Sequence, residues 1–477
     1  MNARMLNRPA ARTALLAALL GVATAGSARA DELADAIRKL HARIGPALVG
    51  VKLTFESDDG ERREFELPGL VIAPDGLTMV PAPDRMQQQP RAFFRKFEMF
   101  RTERYDDPIP CKLVAFDSIA ELGFVAPAKP ETSAVYLDLL SAAPPPELGQ
   151  PLICFGMLPE SLGRRCAFEL TRGGPLVAED KLVVTPWPTT FPATAVVTME
   201  GAFVATTNLE SRVRIQGTPT VRMASSLLPA VKYVLASRKD RPEPWLGLAG
   251  LVAASKDIRE FYELPAGRAA IVVGHVVEGY PAEKSGLMAK DLIIGLNDKM
   301  LTIGATEDET TTAFTQAIKK CDVGQPVKLI VWRDKREVPL TTQVGEMPMT
   351  PAKAERTFNK DIGLAVRQLV FQDTFDRKLP NDQKGVIADR LVQAGPADSG
   401  GMQAGDIVRK VQDEPIDTIK DYQRVIEKAL ADKPKEVVLS VLRGTSENVV
   451  IRIEMGRAAA EKPARRPGKP ARPAEQP

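Results

Sequence analysis

Along residues 46–237, apolar and polar positions alternate in short runs broken by Pro and Gly. That period of two is what a half-buried strand requires. An amphipathic helix is predicted ahead of these runs, over Leu33 to Ile44, and another at their end, over Ser226 to Ala236. No long helical pattern intervenes. The rest of the chain has a different rhythm. Two stretches with helical spacing, Glu309 to Lys320 and Thr418 to Leu430, are each followed by a β-patterned run, Val327 to Arg333 and Val437 to Arg443. The fold class expected is mainly β, with a few helices in defined places.

The C-terminal region repeats itself. Pro281, Ala282, Gly286 and Asp291 recur at the same offsets as Pro396, Ala397, Gly401 and Asp406. Each copy is preceded by a short apolar motif with a central glycine: Trp245, Leu246, Gly247, Leu248 in one, and Asp361, Ile362, Gly363, Leu364 in the other. These residues resemble PDZ domains in the strand order of bacterial proteases, over 244–346 and 360–455, with 345–359 read as a linker. The resemblance implies binding by β-augmentation, in which a peptide adds a strand to the sheet edge and its C-terminal carboxylate meets a nest of backbone N–H groups. Gly247 and Gly363 would let the backbone approach that carboxylate, flanked by Leu246, Leu248, Ile362 and Leu364. Phe314 and Ile318, and likewise Tyr422 and Ile426, are spaced i, i+4 on one helix face. They either line a pocket for an apolar C-terminal side chain or fill the core. His275 falls on a strand, not on the helix where some PDZ domains read a peptide hydroxyl, and is read as an ordinary strand residue.

In the N-terminal half the order of landmarks resembles the trypsin-like domain of HtrA-type periplasmic proteases, which implies a double β-barrel over 31–240. Pro68 to Gly76 is similar to the strand and turn before that family's catalytic His. Ala115 to Val125 is similar to its Asp-bearing segment, and Leu148 to Gly156 to the strand opening its second barrel. Val197 to Val204 falls where its nucleophile loop belongs. Carried over residue by residue, the His position is Pro83, the acid is Glu121 and the nucleophile is Met199. Acyl transfer needs a hydroxyl, a base within hydrogen-bond reach, an orienting acid and oxyanion-hole N–H groups. Proline and a thioether supply neither base nor nucleophile. A slip in register does not rescue the set, because no His lies between His41 and His275 and no Ser between Ser161 and Ser211. Thr194 and Thr198 are nearby hydroxyls without an evident base. The triad is read as degenerate, with no catalytic residue.

Composition adds limits. The chain's 477 residues suit about three domains. Arg4, Arg8 and Arg12, an apolar stretch from Thr13 to Gly26, and Ala28 and Ala30 around Arg29 form a secretory signal over 1–30. No later apolar run is long enough to span a membrane. The formal charge of +3 is misleading. Four Arg lie in the signal, and the Pro/Ala-rich tail over 456–477, read as disordered, holds six basic and two acidic residues. The body between is therefore acidic, which argues against a nucleic-acid partner. Two histidines and no CxxC spacing argue against a metal, and no cofactor is expected. Cys154 and Cys166 form a disulfide across a hairpin or stay as two buried thiols. Phe93, Phe94, Phe97 and Phe100 either anchor a homo-trimer, as aromatic contacts do in HtrA-type proteases, or pack into the first barrel.

Three functions fit these readings. The first is an exported, periplasmic or envelope protein (or one released outside the cell) that binds protein or peptide C-termini without cleaving them. The second is an active endopeptidase of the resembled family. The third is a regulatory subunit that assembles with an active homologue.

Overall fold

The computed structural model describes residues 31–102, 106–178, 180–206, 219–304 and 306–455. The signal read over 1–30 and the tail read over 456–477 lie outside the described residues. The chain forms two compact units. One comprises residues 1–55, 63–89 and 94–347; the other comprises 56–62, 90–93 and 348–477.

In the first unit, helix α1 (31–44) leads into a closed barrel. Its strands are β1 (Leu48–Glu56), β2 (Arg62–Val71), β3 (Thr78–Pro81), β4 (Phe94–Arg101), β5 (Ile109–Asp117) and β6 (Leu122–Pro127), in the order β1-β2-β3-β6-β5-β4. The short helix α2 (Asp84–Gln87) follows β3. A second closed barrel is built from β7 (Pro151–Met157), β8 (Cys166–Ala178), β9 (Lys181–Thr185), β10 (Ala193–Thr198), β11 (Phe203–Thr206) and β12 (Val221–Met223), in the order β10-β11-β12-β9-β8-β7. Closure leaves neither barrel an open hydrogen-bonding edge. Helix α3 (Ala224–Ser237) buries Leu227, Val231 and Val234 in the same cluster as Val51, Leu70 and Phe124 of the first barrel and Ile153, Phe155 and Val197 of the second. The barrels and α3 are thus one folding unit. The expected double β-barrel is present.

The first PDZ copy, in the same unit, contains β13 (Pro244–Trp245), β14 (Leu248–Ala249), β15 (Val252–Ala253), β16 (Ile271–Val272), β17 (His275–Val276), β18 (Leu292–Leu296), β19 (Lys299–Met300), helix α4 (Glu307–Lys319), β20 (Pro326–Arg333), β21 (Arg336–Gln343) and β22 (Gly345–Glu346). His275 lies on β17 opposite Ala249, a strand residue as expected. The second copy, in the second unit, contains β23 (Arg356–Asn359), β24 (Leu364–Gln368), β25 (Val386–Leu391), β26 (Ile407–Val411), β27 (Glu414–Pro415), helix α5 (Ile419–Ala431), β28 (Glu436–Arg443) and β29 (Glu447–Glu454). α5 forms because Thr418 and Asp421 make a capping box and because Ile419, Tyr422, Val425 and Ile426 present one apolar stripe to the sheet. β23 lies ahead of position 360, inside the stretch read as a linker. It belongs to the second sheet, because all its rungs pair with β24.

The repeated residues have a structural cause. In the first copy Arg333 at the end of β20 donates from Nε and Nη2 to Asp291, at 2.7 and 2.5 Å, and from Nη2 to the Gly286 carbonyl at 2.8 Å. In the second, Arg443 donates to Asp406 at 2.9 and 2.7 Å and to the Gly401 carbonyl at 2.8 Å. Each carboxylate also accepts a turn N–H, from Met288 or Gln403. The Gly and Asp of the repeat hold the turn to β20 and β28 through a bidentate pair.

Two open alternatives are decided by register and packing. β7 pairs with β8 so that Cys154 faces Glu169 and Cys166 faces Met157. The offset is odd, which turns the two side chains to opposite faces, and all four cysteines are free. Of the two alternatives the free thiols hold, with Cys154 buried and Cys166 half-buried. Burial pushes the thiols of Cys111, Cys154 and Cys166 up to about 12. Phe97 lies in the barrel core with Phe94 packed against it, and Phe100 is buried under the Arg164 guanidinium at 4.1 Å. Phe93 belongs to the second unit, beneath Arg356 at 4.8 Å. All four rings have intramolecular neighbours.

Candidate functional site

Glu121 sits on the turn between β5 and β6 with a left-handed φ of 50°. Asp117 shapes that turn by accepting the N–H groups of Ile119 and Ala120, at 3.0 and 2.6 Å. Asp117 is itself 1% exposed and bound by Arg241 Nε at 2.6 Å. Arg222 on β12 reaches across to the same turn. It donates to the carbonyls of Ala120 at 2.6 Å and Ile119 at 3.2 Å, and lies 3.5 Å from the Glu121 carboxylate and 3.4 Å from Asp180. A cavity of about 20 Å³ remains here, lined by Glu121, Arg222, Thr194, Thr206 and Leu227 among others, with room for about one water. The Glu121 carboxylate thus faces the Arg222 guanidinium.

Pro83 is buried at the start of α2, its carbonyl accepting from Met86 at 2.8 Å and Gln87 at 3.2 Å. The residue before it, Ala82, donates its N–H to the Glu121 carbonyl at 2.8 Å. The Gln87 side chain ties the segment further, donating to the carbonyls of Ala82 at 2.6 Å and Asp117 at 3.2 Å.

Met199 sits elsewhere. It occupies the tight turn between β10 and β11, half-buried against the barrel core. The turn uses its own donors: Gly201 N–H binds the Thr198 carbonyl at 2.9 Å, and the N–H groups of Glu200 and Ala202 bind Thr198 Oγ1 at 3.3 and 3.4 Å. Arg43 from α1 donates to the Gly201 carbonyl at 2.6 Å and to that of Glu200 at 3.3 Å. Met199 lines a groove with Lys39, Leu40 and Arg43 of α1, not the cavity of Glu121. The structure therefore places Pro83 one residue from the Ala82–Glu121 backbone bond, outside the cavity that Glu121 lines, and leaves Met199 beside the N-terminal helix. The loop N–H groups at 200–202 are not arrayed for an oxyanion. The Thr194 hydroxyl lines the Glu121 cavity and points to the Pro192 carbonyl at 3.4 Å.

The PDZ loops repeat one geometry. The carbonyls of Leu246 and Gly247 accept from Ala282 and Val277, both at 2.9 Å; those of Ile362 and Gly363 accept from Ala397 and Val392, both at 2.9 Å. In a planar trans peptide the N–H points opposite the C=O, so the N–H groups of Gly247 and Leu248 are directed away from the domain body, and those of Gly363 and Leu364 to the side of β24 where β23 pairs. Gly247 and Gly363 hold positive φ values, 82° and 67°, and a Cβ on Gly247 would meet Tyr280 Cβ at 2.2 Å. All eight apolar candidates are buried: Leu246, Leu248, Phe314 and Ile318 in one core, and Ile362, Leu364, Tyr422 and Ile426 in the other. Sequence reasoning missed Arg222 and Asn359. The second carried a signal, since an Asn two residues ahead of Asp361 favours a side-chain-to-backbone turn.

Residues 250–344 and 389–441 each match the PDZ domain family. The chain is similar to the "Probable periplasmic serine endoprotease DegP-like" of Hahella chejuensis, 24% identical over 44% of this chain and 43% of that protein. It is also similar to the protein of the same name in Pseudomonas savastanoi pv. phaseolicola, 31% identical over 42% of this chain and 40% of that protein. The matches thus span about two fifths of these relatives' length. Among solved structures it is similar to "HtrA-type protease AlgW with decapeptide", with a TM-score of 0.47 and 16% identity over 65% of this chain and 98% of that one. The chain thus combines two closed six-stranded barrels with two regions that match the PDZ domain family, and resembles the DegP-like proteins over about two fifths of their length.

Proposed function

We propose that this is an exported periplasmic protein that binds peptide C-termini, or unfolded envelope proteins, without cleaving them, as an adaptor, regulator or chaperone-like factor. The observation that carries this reading is the set of side chains at the three family positions: Pro83, Glu121 facing Arg222, and Met199 in a turn that uses its own N–H groups. Losing base and nucleophile together removes many powers of ten in rate. Peptide capture would then rest on the PDZ loops, whose N–H groups at Gly247, Leu248, Gly363 and Leu364 suit a carboxylate. Neither metal nor cofactor is required. The periplasmic location rests on the signal pattern and on the relatives' name. Among the described residues no helix is long and apolar enough to cross a membrane. A homo-oligomer or an active homologue is the further partner this architecture allows.

A second reading, an active endopeptidase in envelope quality control, is the one favoured by the names of the DegP-like relatives. Casein cleavage by the mature protein separates the two, with fluorophosphonate labelling as a second readout. The non-cleaving reading expects background cleavage and no label. Cleavage abolished by Thr194→Ala or Thr198→Ala would sink it.

A further inference from the structure

The two PDZ copies differ at the edge where a ligand strand would add. In the first, β14 pairs with β17 and β15 with β16, and among the described residues no strand lies on their outer edge. In the second, β24, the strand that follows the Ile362–Gly363 loop, is interior: β25 lies on one side and β23 on the other. β23 runs antiparallel to β24 through Arg356↔Arg367, Thr357↔Val366, Phe358↔Ala365 and Asn359↔Leu364. Helix α5 packs against both strands. A strand antiparallel to β24, between it and the helix, occupies the place that β-augmentation gives a peptide.

Both ends of β23 are held. At its C-terminal end Asn359 Oδ1 accepts the N–H groups of Asp361 at 3.0 Å and Ile362 at 3.3 Å. A side-chain carbonyl oxygen therefore stands at the loop that would receive a terminal carboxylate. At the other end Arg356, its side chain 6% exposed, pairs with Asp389 of β25 at 3.0 Å and with Asp58 of the same unit at 2.6 Å.

We propose that Arg356–Asn359 is an internal ligand of the second PDZ domain, leaving the first domain as the one open to an outside peptide until that strand is displaced. The proposal rests on the peptide-binding reading above and names its regulation. A tethered strand acts at an effective concentration of the order of millimolar, and an outside peptide's apparent Kd rises in inverse proportion to the open fraction. Displacement is chemically accessible. The Asn359 amide is a neutral acceptor, whereas a peptide carboxylate would make charge-assisted bonds to the same loop.

The test uses the full mature chain and fluorescein-labelled decapeptides with free C-termini ending in Ala, Val, Leu or Phe, each carrying a photo-reactive benzophenone. Anisotropy reads affinity, and cross-links mapped by mass spectrometry read location. The natural chain is expected to cross-link within 244–346 only. Asn359→Ala and Phe358→Pro are expected to add cross-links in 364–368 or 419–431, with affinity at that second site raised at least about tenfold. Asn359→Asp, which puts a carboxylate at the loop, is expected to keep the site closed. If Phe358→Pro does not fold, Asn359→Ala decides, because it leaves the strand backbone intact. Cross-links at the second domain of the natural chain, as strong as in Asn359→Ala, would overturn the proposal. So would cross-links confined to the first domain in every folded variant, and then the peptide-binding reading would survive. Binding at neither domain in any protein would overturn both.

Discussion

The two PDZ copies are alike where they hold themselves together and unlike where they meet a ligand. Both clamp their turn with an Arg–Asp pair, Arg333–Asp291 and Arg443–Asp406, and both turn the same loop carbonyls inward. Yet among the described residues β14 and β15 keep an outer edge without a partner strand, while β24 has strands on both sides. The internal repeat thus records the residues that build the fold. It does not record whether the groove is occupied, because that depends on a strand lying outside the repeated positions.

The largest expected effect tests the shared part. Asp291 and Asp406 are 4% and 2% exposed, so removing the arginine strands a buried carboxylate. Arg333→Ala and Arg443→Ala should each cost about 3 kcal/mol, read by urea denaturation, and each should loosen only its own domain. Equal, small losses would mean that the clamps are incidental to stability. A smaller effect belongs to the barrels. Arg222→Ala removes two bonds to the Glu121 turn and should cost about 2 kcal/mol with no gain of casein cleavage.

The next contrast is between the helix walls. Among the described residues the buried Tyr422 hydroxyl has no hydrogen-bond partner, whereas Phe314 on the first copy's helix has no hydroxyl to satisfy. Tyr422→Phe should therefore raise the melting temperature of the second domain, by about 1 kcal/mol of stability; a fall would reveal a partner for that hydroxyl. The smallest difference at neutral pH concerns the thiols, all four of which lie in the first unit. Their folded pKa is raised from 9.0 to about 12 for Cys111, Cys154 and Cys166, so their contribution is full below pH 9 and is lost as pH rises through about 12. Thiolate absorbance in alkali should therefore report the first unit alone, while the second unit is exposed to alkali through Tyr422, whose hydroxyl burial also pushes up and whose phenolate absorbance would follow it.

Much of this was legible in the chain. The alternation over 46–237 became two barrels, and the stretch Ser226 to Ala236 lies within α3. The segments Glu309 to Lys320 and Thr418 to Leu430 became α4 and α5 within a residue or two. Pro83 and Met199 are legible as residue types that supply neither base nor nucleophile wherever they sit. Three things were not legible. The stretch read as a linker holds β23, because four residues have too little periodicity to announce a strand. Cys154 and Cys166 looked able to face each other until the β7–β8 register set them an odd number of rungs apart. Arg222, a single charge in a three-residue strand, gave no sign that it would cross to the Glu121 turn.

The sequence alone determined the strand and helix periods, the repeated Gly and Asp, and the absence of any histidine between His41 and His275. Each is a local property, set by side-chain chemistry within one or two turns or rungs. The tertiary structure decided that Glu121 meets Arg222, that Met199 lies beside α1, and that β23 rather than an empty edge flanks β24. Those outcomes depend on pairing between segments distant along the chain or joined by an unpatterned turn, where register and packing choose among partners that local propensity leaves equivalent.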